Sequence, residues 1–132
     1  MNIDVTFCDQ VRNETNGKIF LIGVYPADVM MVSQIPGNVH VSAWVKVRDL
    51  QVGAYDFEMS FLSPQASLQS PTPYYANVFI SHYGIPATMH SGPASIPLSE
   101  PGFVTLRLKI TDALQNVVCD QVAGKIFIGK QT

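Results

Sequence analysis

Val39-His40-Val41-Ser42-Ala43-Trp44-Val45-Lys46-Val47-Arg48 alternates without a break, with a small or β-branched apolar residue at every odd position and a polar or amphipathic one at every even position. Alternate side chains of an extended chain point to opposite faces, so this decapeptide specifies a strand with one face in a core and the other outside. Tyr55, Phe57, Met59 and Phe61, interleaved with Asp56, Glu58 and Ser60, repeat the pattern. The short connection Asp49 to Ala54, with Gly53 near its end, predicts an antiparallel hairpin between the two. In any register that keeps the apolar faces together, Lys46 and Arg48 then face Asp56 and Glu58. Such exposed cross-strand pairs contribute a few tenths to about 1 kcal/mol, and they account for these charges better than a catalytic carboxylate site does.

Working outward, Val104, Leu106, Leu108 and Ile110 alternate with Thr105, Arg107, Lys109 and Thr111, and Asp112-Ala113-Leu114-Gln115-Asn116 supplies a turn before a return strand from Val117. Near the amino terminus Ile3, Val5 and Phe7 mark a strand, Asn16-Gly17 is turn chemistry, and Lys18 to Tyr25 is apolar enough on both faces to be a central strand. Seven of the nine prolines fall between Pro64 and Pro101, leaving Tyr75 to Tyr83 as a strand and Ala94 to Leu98 as an edge. No 3.6-residue period persists anywhere. The expectation is a single all-β domain over residues 1–132: a two-sheet antiparallel β-sandwich of seven or eight strands, immunoglobulin-like in type.

A 132-residue chain is long enough to bury a core without disulfides or metal. Net charge is −2, the charged fraction is 14%, and there is no basic run, which disfavours nucleic acid as a partner. Met1-Asn2-Ile3-Asp4-Val5-Thr6 lacks the cationic and apolar regions of an export signal, and no window reaches bilayer-spanning length. A soluble cytoplasmic protein with no membrane partner is expected, and with it free thiols at Cys8 and Cys119. Asn13-Glu14-Thr15 matches a glycosylation acceptor, which has no meaning without secretion and reads as a turn.

Two strings recur in order. Cys8-Asp9-Gln10-Val11 returns as Cys119-Asp120-Gln121-Val122, and Gly17-Lys18-Ile19-Phe20 as Gly124-Lys125-Ile126-Phe127. The spacer is Arg12 to Asn16 in the first copy and Ala123 alone in the second. The first has room to reverse direction; the second reads as one bent or bulged strand, with Asp-Gln interrupting the apolar alternation. No histidine lies near either Cys-Asp pair, and the spacing fits no standard zinc arrangement.

The string Phe7-Cys8-Asp9-Gln10-Val11-Arg12-Asn13-Glu14, with Gly17-Lys18 and Leu21-Ile22-Gly23-Val24-Tyr25, resembles the opening of an uncharacterised family of short bacterial proteins of unknown function. Pro97 to Ile110, with Pro101-Gly102-Phe103 leading into Leu106 and Leu108, is similar to a late strand of immunoglobulin-like sandwiches. The likeness covers both ends of the chain, while the proline-rich middle departs from it. It implies the fold and a bacterial or phage context, and no activity. The Cys-Trp-Cys core of immunoglobulin domains is not reproduced, since Cys8 lies too early and Trp44 falls on the polar face of its strand.

No Gly-x-Ser-x-Gly, His-Glu-x-x-His, Cys-x-x-Cys or Gly-rich phosphate loop is present, and His82 and His90 have no nearby carboxylate in sequence to orient them. No catalytic residue, metal ligand or cofactor is therefore assigned. The strongest functional signal is a stretch of 41 residues, Met59 to Ser99, without one Asp, Glu, Lys or Arg, although the chain holds 18 of them. Surfaces and strand edges normally carry charge, so an uncharged segment is covered or meant to be covered. Within it Tyr74, Tyr75, Phe79 and Tyr83 supply rigid contact area. Period two sends Tyr75, Asn77, Phe79, Ser81 and Tyr83 one way and Ala76, Val78, Ile80 and His82 the other. The aromatic face is either a contact surface or internal packing. Trp44, flanked by Ser42 and Lys46, is a further contact candidate or a ring stacked under the Lys46 stem. The leading expectation is a non-enzymatic module that self-associates as a two-fold homodimer or binds another protein. A carbohydrate- or small-ligand-binding sandwich is the first alternative, and an enzyme whose site is not visible in sequence the second.

Overall fold

A computed structural model describes residues 1–131, and these form ten strands and no helix, organised as a two-sheet β-sandwich. The strands are β1 (Asn2–Asn13), β2 (Ile19–Val24), β3 (Val29–Val32), β4 (Gly37–Arg48), β5 (Gly53–Leu62), β6 (Tyr74–Ile80), β7 (Ala87–His90), β8 (Ala94–Leu98), β9 (Gly102–Asp112) and β10 (Val117–Lys130). One sheet runs β2-β1-β4-β7, with β8 also paired to β4; the other runs β3-β10-β9-β5-β6. The count exceeds the expected seven or eight for two reasons. The short β3 is an added strand, paired parallel to β10 from Phe127↔Val29 to Lys130↔Val32. In addition, β7 and β8 take successive stretches of β4, Trp44–Val47 and Gly37–Val41. Between them Ser91 is buried, its amide donating to the Ala43 carbonyl while its hydroxyl accepts from the Ala43 amide.

The alternating strings meet in the core as their period demands. Val41, Ala43, Val45 and Val47 of β4, Phe57, Met59 and Phe61 of β5, Leu106, Leu108 and Ile110 of β9, and Ile126 and Ile128 of β10 are all at most 1% exposed and belong to one cluster. Burying a side chain of the larger kind stabilises by about 1.5–3 kcal/mol, and this cluster spans both sheets. The β9–β10 hairpin forms as expected, around a turn in which the Asp112 side chain accepts from the Leu114 and Asn116 amides.

The expected β4–β5 hairpin does not form. These strands lie in different sheets: β4 pairs with β1, β7 and β8, and β5 with β6 and β9. The connection crosses from one layer to the other, with Asp49 in a left-handed conformation and Leu50 buried in the core. Alternation fixes which face of a strand is buried and leaves its hydrogen-bonding neighbour open; a short connection with an apolar plug arches between sheets as readily as it reverses within one. Arg48 therefore pairs with Asp4, while Glu58 stands opposite Lys109 and Tyr75.

A second correction concerns Lys18 to Tyr25. Its strand, β2, is an edge paired only with β1, and Phe20, Ile22 and Val24 are exposed. The two-faced apolar pattern arises because Ile19 and Leu21, on the opposite face, are half-buried. The Ala94 to Leu98 strand, in contrast, sits at an edge as its single Pro requires. Cys8 and Cys119 are free and buried.

Candidate functional site

The uncharged segment divides between interior and surface. Met59, Phe61, Ile80, Ala87, Met89, Ala94, Ile96 and Leu98 are core residues, so much of the missing charge is simply burial. What remains is β6. It is the terminal strand of its sheet, hydrogen-bonded to β5 from Gly53↔Ile80 to Met59↔Tyr74. Ala76, Val78 and Ile80 turn inward, while Tyr75, Asn77 and Phe79 turn out, with Tyr75 69% and Phe79 71% exposed. The period-two sorting of this strand is thus realised, and its outward rings are not internal packing. Tyr83 lies beyond the strand end and is also exposed, as is Ile85. Tyr74 faces the other way, packed on the core edge-to-face with Phe61, centroids 6.4 Å apart.

Beside the exposed rings the sheet surface is banded by charge. Asp56 and Glu58 of β5 lie next to β6; Arg107 and Lys109 of β9 come next, with Glu58 directly across from Lys109. A hollow of about 320 Å³ follows these bands, lined by Asp56, Glu58, Tyr75, Asn77, Lys109 and Thr111 among others. A hydrogen bond to Glu58, reinforced by its negative charge, raises the Tyr75 phenol above its ordinary pKa. Further along, Arg107 Nε donates to Asp120 Oδ1 at 2.8 Å, which raises the guanidinium and lowers the Asp120 carboxyl.

Trp44 lies on the outer face of the other sheet from β6. It is half-buried, with Lys46 Nζ 5.7 Å from its ring centroid, so the stacked arrangement is present. The end of the β1–β2 hairpin stands beside it: Asn13, Gly17, Lys18, Ile19, Trp44, Thr88 and His90 line an open hollow of about 650 Å³. The structure therefore separates Trp44 from Tyr75, Phe79 and Tyr83 rather than joining them.

Sequence reading missed a third region. At the far end of the β6 sheet, Val29 and Met31 of β3 and Phe103 of β9 are exposed, and Phe103 packs edge-on against Phe127 at 5.2 Å. The signal was there in Val29-Met30-Met31-Val32, but a four-residue apolar run carries no period from which to assign a face.

Burial pushes both the Cys8 and the Cys119 thiol up, which keeps them protonated and unreactive. Among the described residues no group of three or more His, Cys, Asp or Glu is placed to hold a metal ion, and no helix is long and apolar enough to cross a membrane. The fold and these surfaces define an all-β sandwich with an uncharged aromatic edge strand. No protein-family model matches the chain, and no curated protein is significantly similar to it.

Proposed function

We propose that this chain is a non-enzymatic assembly module that pairs with a second copy through the outer face and free edge of β6. The observation that carries it is a terminal strand with two aromatic rings about 70% exposed, Tyr75 and Phe79, and no charged residue of its own. Edge strands that stay unpaired are normally guarded by Lys, Pro or a bulge, and β6 has none of these. The charge bands favour a copy of the same chain as partner. Asp56 and Glu58 run beside Arg107 and Lys109, so a two-fold axis between the bands sets acid over base and base over acid. We further propose an immunoglobulin-like type, in which the order β10-β9-β5-β6 would stand for strands G, F, C and C′ of a variable-type domain.

The test is the solution mass by light scattering. Wild type should be a dimer, and Phe79→Lys a soluble monomer with unchanged β-type circular dichroism, because the side chain is exposed and its replacement strands a charge in the contact. A wild-type chain that is monomeric at high micromolar concentration overturns the proposal. So does a Phe79→Lys variant that remains dimeric.

A further inference from the structure

We infer that the hollow between the β1–β2 hairpin and the outer face of β4 and β7 is a binding site for an acidic saccharide, independent of the assembly surface. Two cross-strand pairs build it. Trp44 and His90 are direct neighbours on β4 and β7 and form the floor; Asn13 and Ile19, neighbours on β1 and β2, form the wall, with Lys18 beside them. The hairpin turn that holds this wall is fixed locally: the Glu14 amide donates to the Lys18 carbonyl, and the Lys18 amide to the Asn16 side chain at 3.1 Å.

The chemistry of the lining selects the ligand. Lys46 lies over the half-buried indole, and the apolar ring surface that lines the hollow, with a polar N–H at its rim, suits the C–H face of a sugar ring. The Asn13 amide, the Thr88 hydroxyl and the His90 imidazole are donors and acceptors for ring hydroxyls, a small polar set on an otherwise apolar seat. What distinguishes the hollow is its charge. Lys18 is the one charged residue of the lining, which holds no Asp or Glu. A neutral sugar is commonly held by carboxylates that accept from paired hydroxyls, and none is available. A carboxylate on the sugar instead gains a charge-assisted hydrogen bond from Lys18. Binding is by stacking, hydrogen bonds and ion pairing, with no covalent step.

Trp44 is the only tryptophan, so its emission reports on the floor of the hollow directly. The experiment titrates the wild-type protein at low ionic strength with an oligomer of galacturonate and, separately, with the matching neutral galactose oligomer. A saturable emission change is expected for the acidic oligomer. Loss of one exposed charge-assisted bond, worth about one factor of ten, should appear both for the neutral oligomer and for Lys18→Gln. Amide chemical-shift changes should cluster at residues 13–19 and 88–90, and Asn13→Ala, an exposed change, should weaken binding with the fold intact. Equal binding of the neutral oligomer, or wild-type affinity in Lys18→Gln, overturns the acidic assignment. Absence of saturable binding, or shifts confined to residues 75–79, overturns the site.

Discussion

The repeated strings lead two different lives. Cys8-Asp9-Gln10-Val11 and Gly17-Lys18-Ile19-Phe20 fold into a hairpin at the margin of one sheet, whereas Cys119-Asp120-Gln121-Val122 and Gly124-Lys125-Ile126-Phe127 lie along a single strand inside the other. The spacer decides. Arg12 to Asn16 lets the chain reverse, closed by the Gly17 amide on the Glu14 carbonyl and by Gly17 in a left-handed conformation. Ala123 alone cannot turn the chain, and the extra residue is taken up as a register shift between Val122 and Gly124, one of two bulges in β10. The two cysteines are buried alike, but the second repeated string has different surroundings in each copy. Ile126 is fully buried and Ile19 half-buried, and Phe20 is 55% exposed while Phe127 packs against Phe103. Local sequence sets what a strand is; connection length sets where it goes.

The largest expected contrast is between the two isoleucines. Ile126→Ala removes a fully buried side chain between the sheets and should cost about 3–4 kcal/mol, whereas Ile19→Ala, at a half-covered margin, should cost about 1 kcal/mol. Urea unfolding of the two variants measures both. Equal losses would break the comparison by showing that the hairpin is as integral to the core as β10.

The glycines sharpen it. A Cβ at Gly124 would stand 3.3 Å from Val5 Cβ and 3.4 Å from the Phe7 ring, because β10 meets β1 across the core here. Gly124→Val should therefore destabilise by about 2–3 kcal/mol through overpacking. At Gly17 nothing lies within 4 Å, and φ is +83°, so Gly17→Ala meets only backbone strain of about 1 kcal/mol. If the Gly17 variant proves the worse of the two, turn closure outweighs sheet-to-sheet contact.

Much of this is legible in the sequence. Strand periods located the inner faces of β4, β5 and β9, sorted Tyr75 and Phe79 from Val78 and Ile80, and separated the hairpin copy from the bulged copy. Partner choice was not legible. Lys46 and Arg48 carry the sign complementary to Asp56 and Glu58, yet complementary exposed charges contribute too little to choose a neighbour, and the connection that buries Leu50 crosses to the opposite sheet. The Trp44 hollow was equally hidden. Asn13 and Lys18 line one hollow with Trp44 and His90 only because the hairpin end stands beside the outer face of β4, and nothing periodic encodes that placement.

The smallest expected effect lies in the two aspartates. Asp9 of the first copy accepts a hydrogen bond from the Tyr25 hydroxyl, and Asp120 of the second accepts from Arg107. Their pH signatures should have opposite signs. The Tyr25 phenol is pushed up to about 12 by burial, by its bond to Asp9 and by the Asp9 charge. A raised folded pKa means that the native state holds the proton while the unfolded state releases it. Stability from this pair is thus complete below about pH 10 and declines as pH climbs to about 12. Solvent screening of a half-covered ring limits the loss to about 1 kcal/mol. Asp120 behaves inversely: its folded pKa is lowered, so its contribution is present above the ordinary aspartate range and falls away on acidification. Other tyrosines and lysines also titrate at high pH, so the quantity to read is the difference between wild type and Tyr25→Phe in unfolding free energy from pH 8 to 12. That difference should shrink as pH rises, whereas the difference between wild type and Asp120→Asn should shrink as pH falls through the carboxylate range. A Tyr25→Phe difference that is flat with pH would leave the Asp9 bond without energetic weight and reduce the contrast between the copies to burial alone.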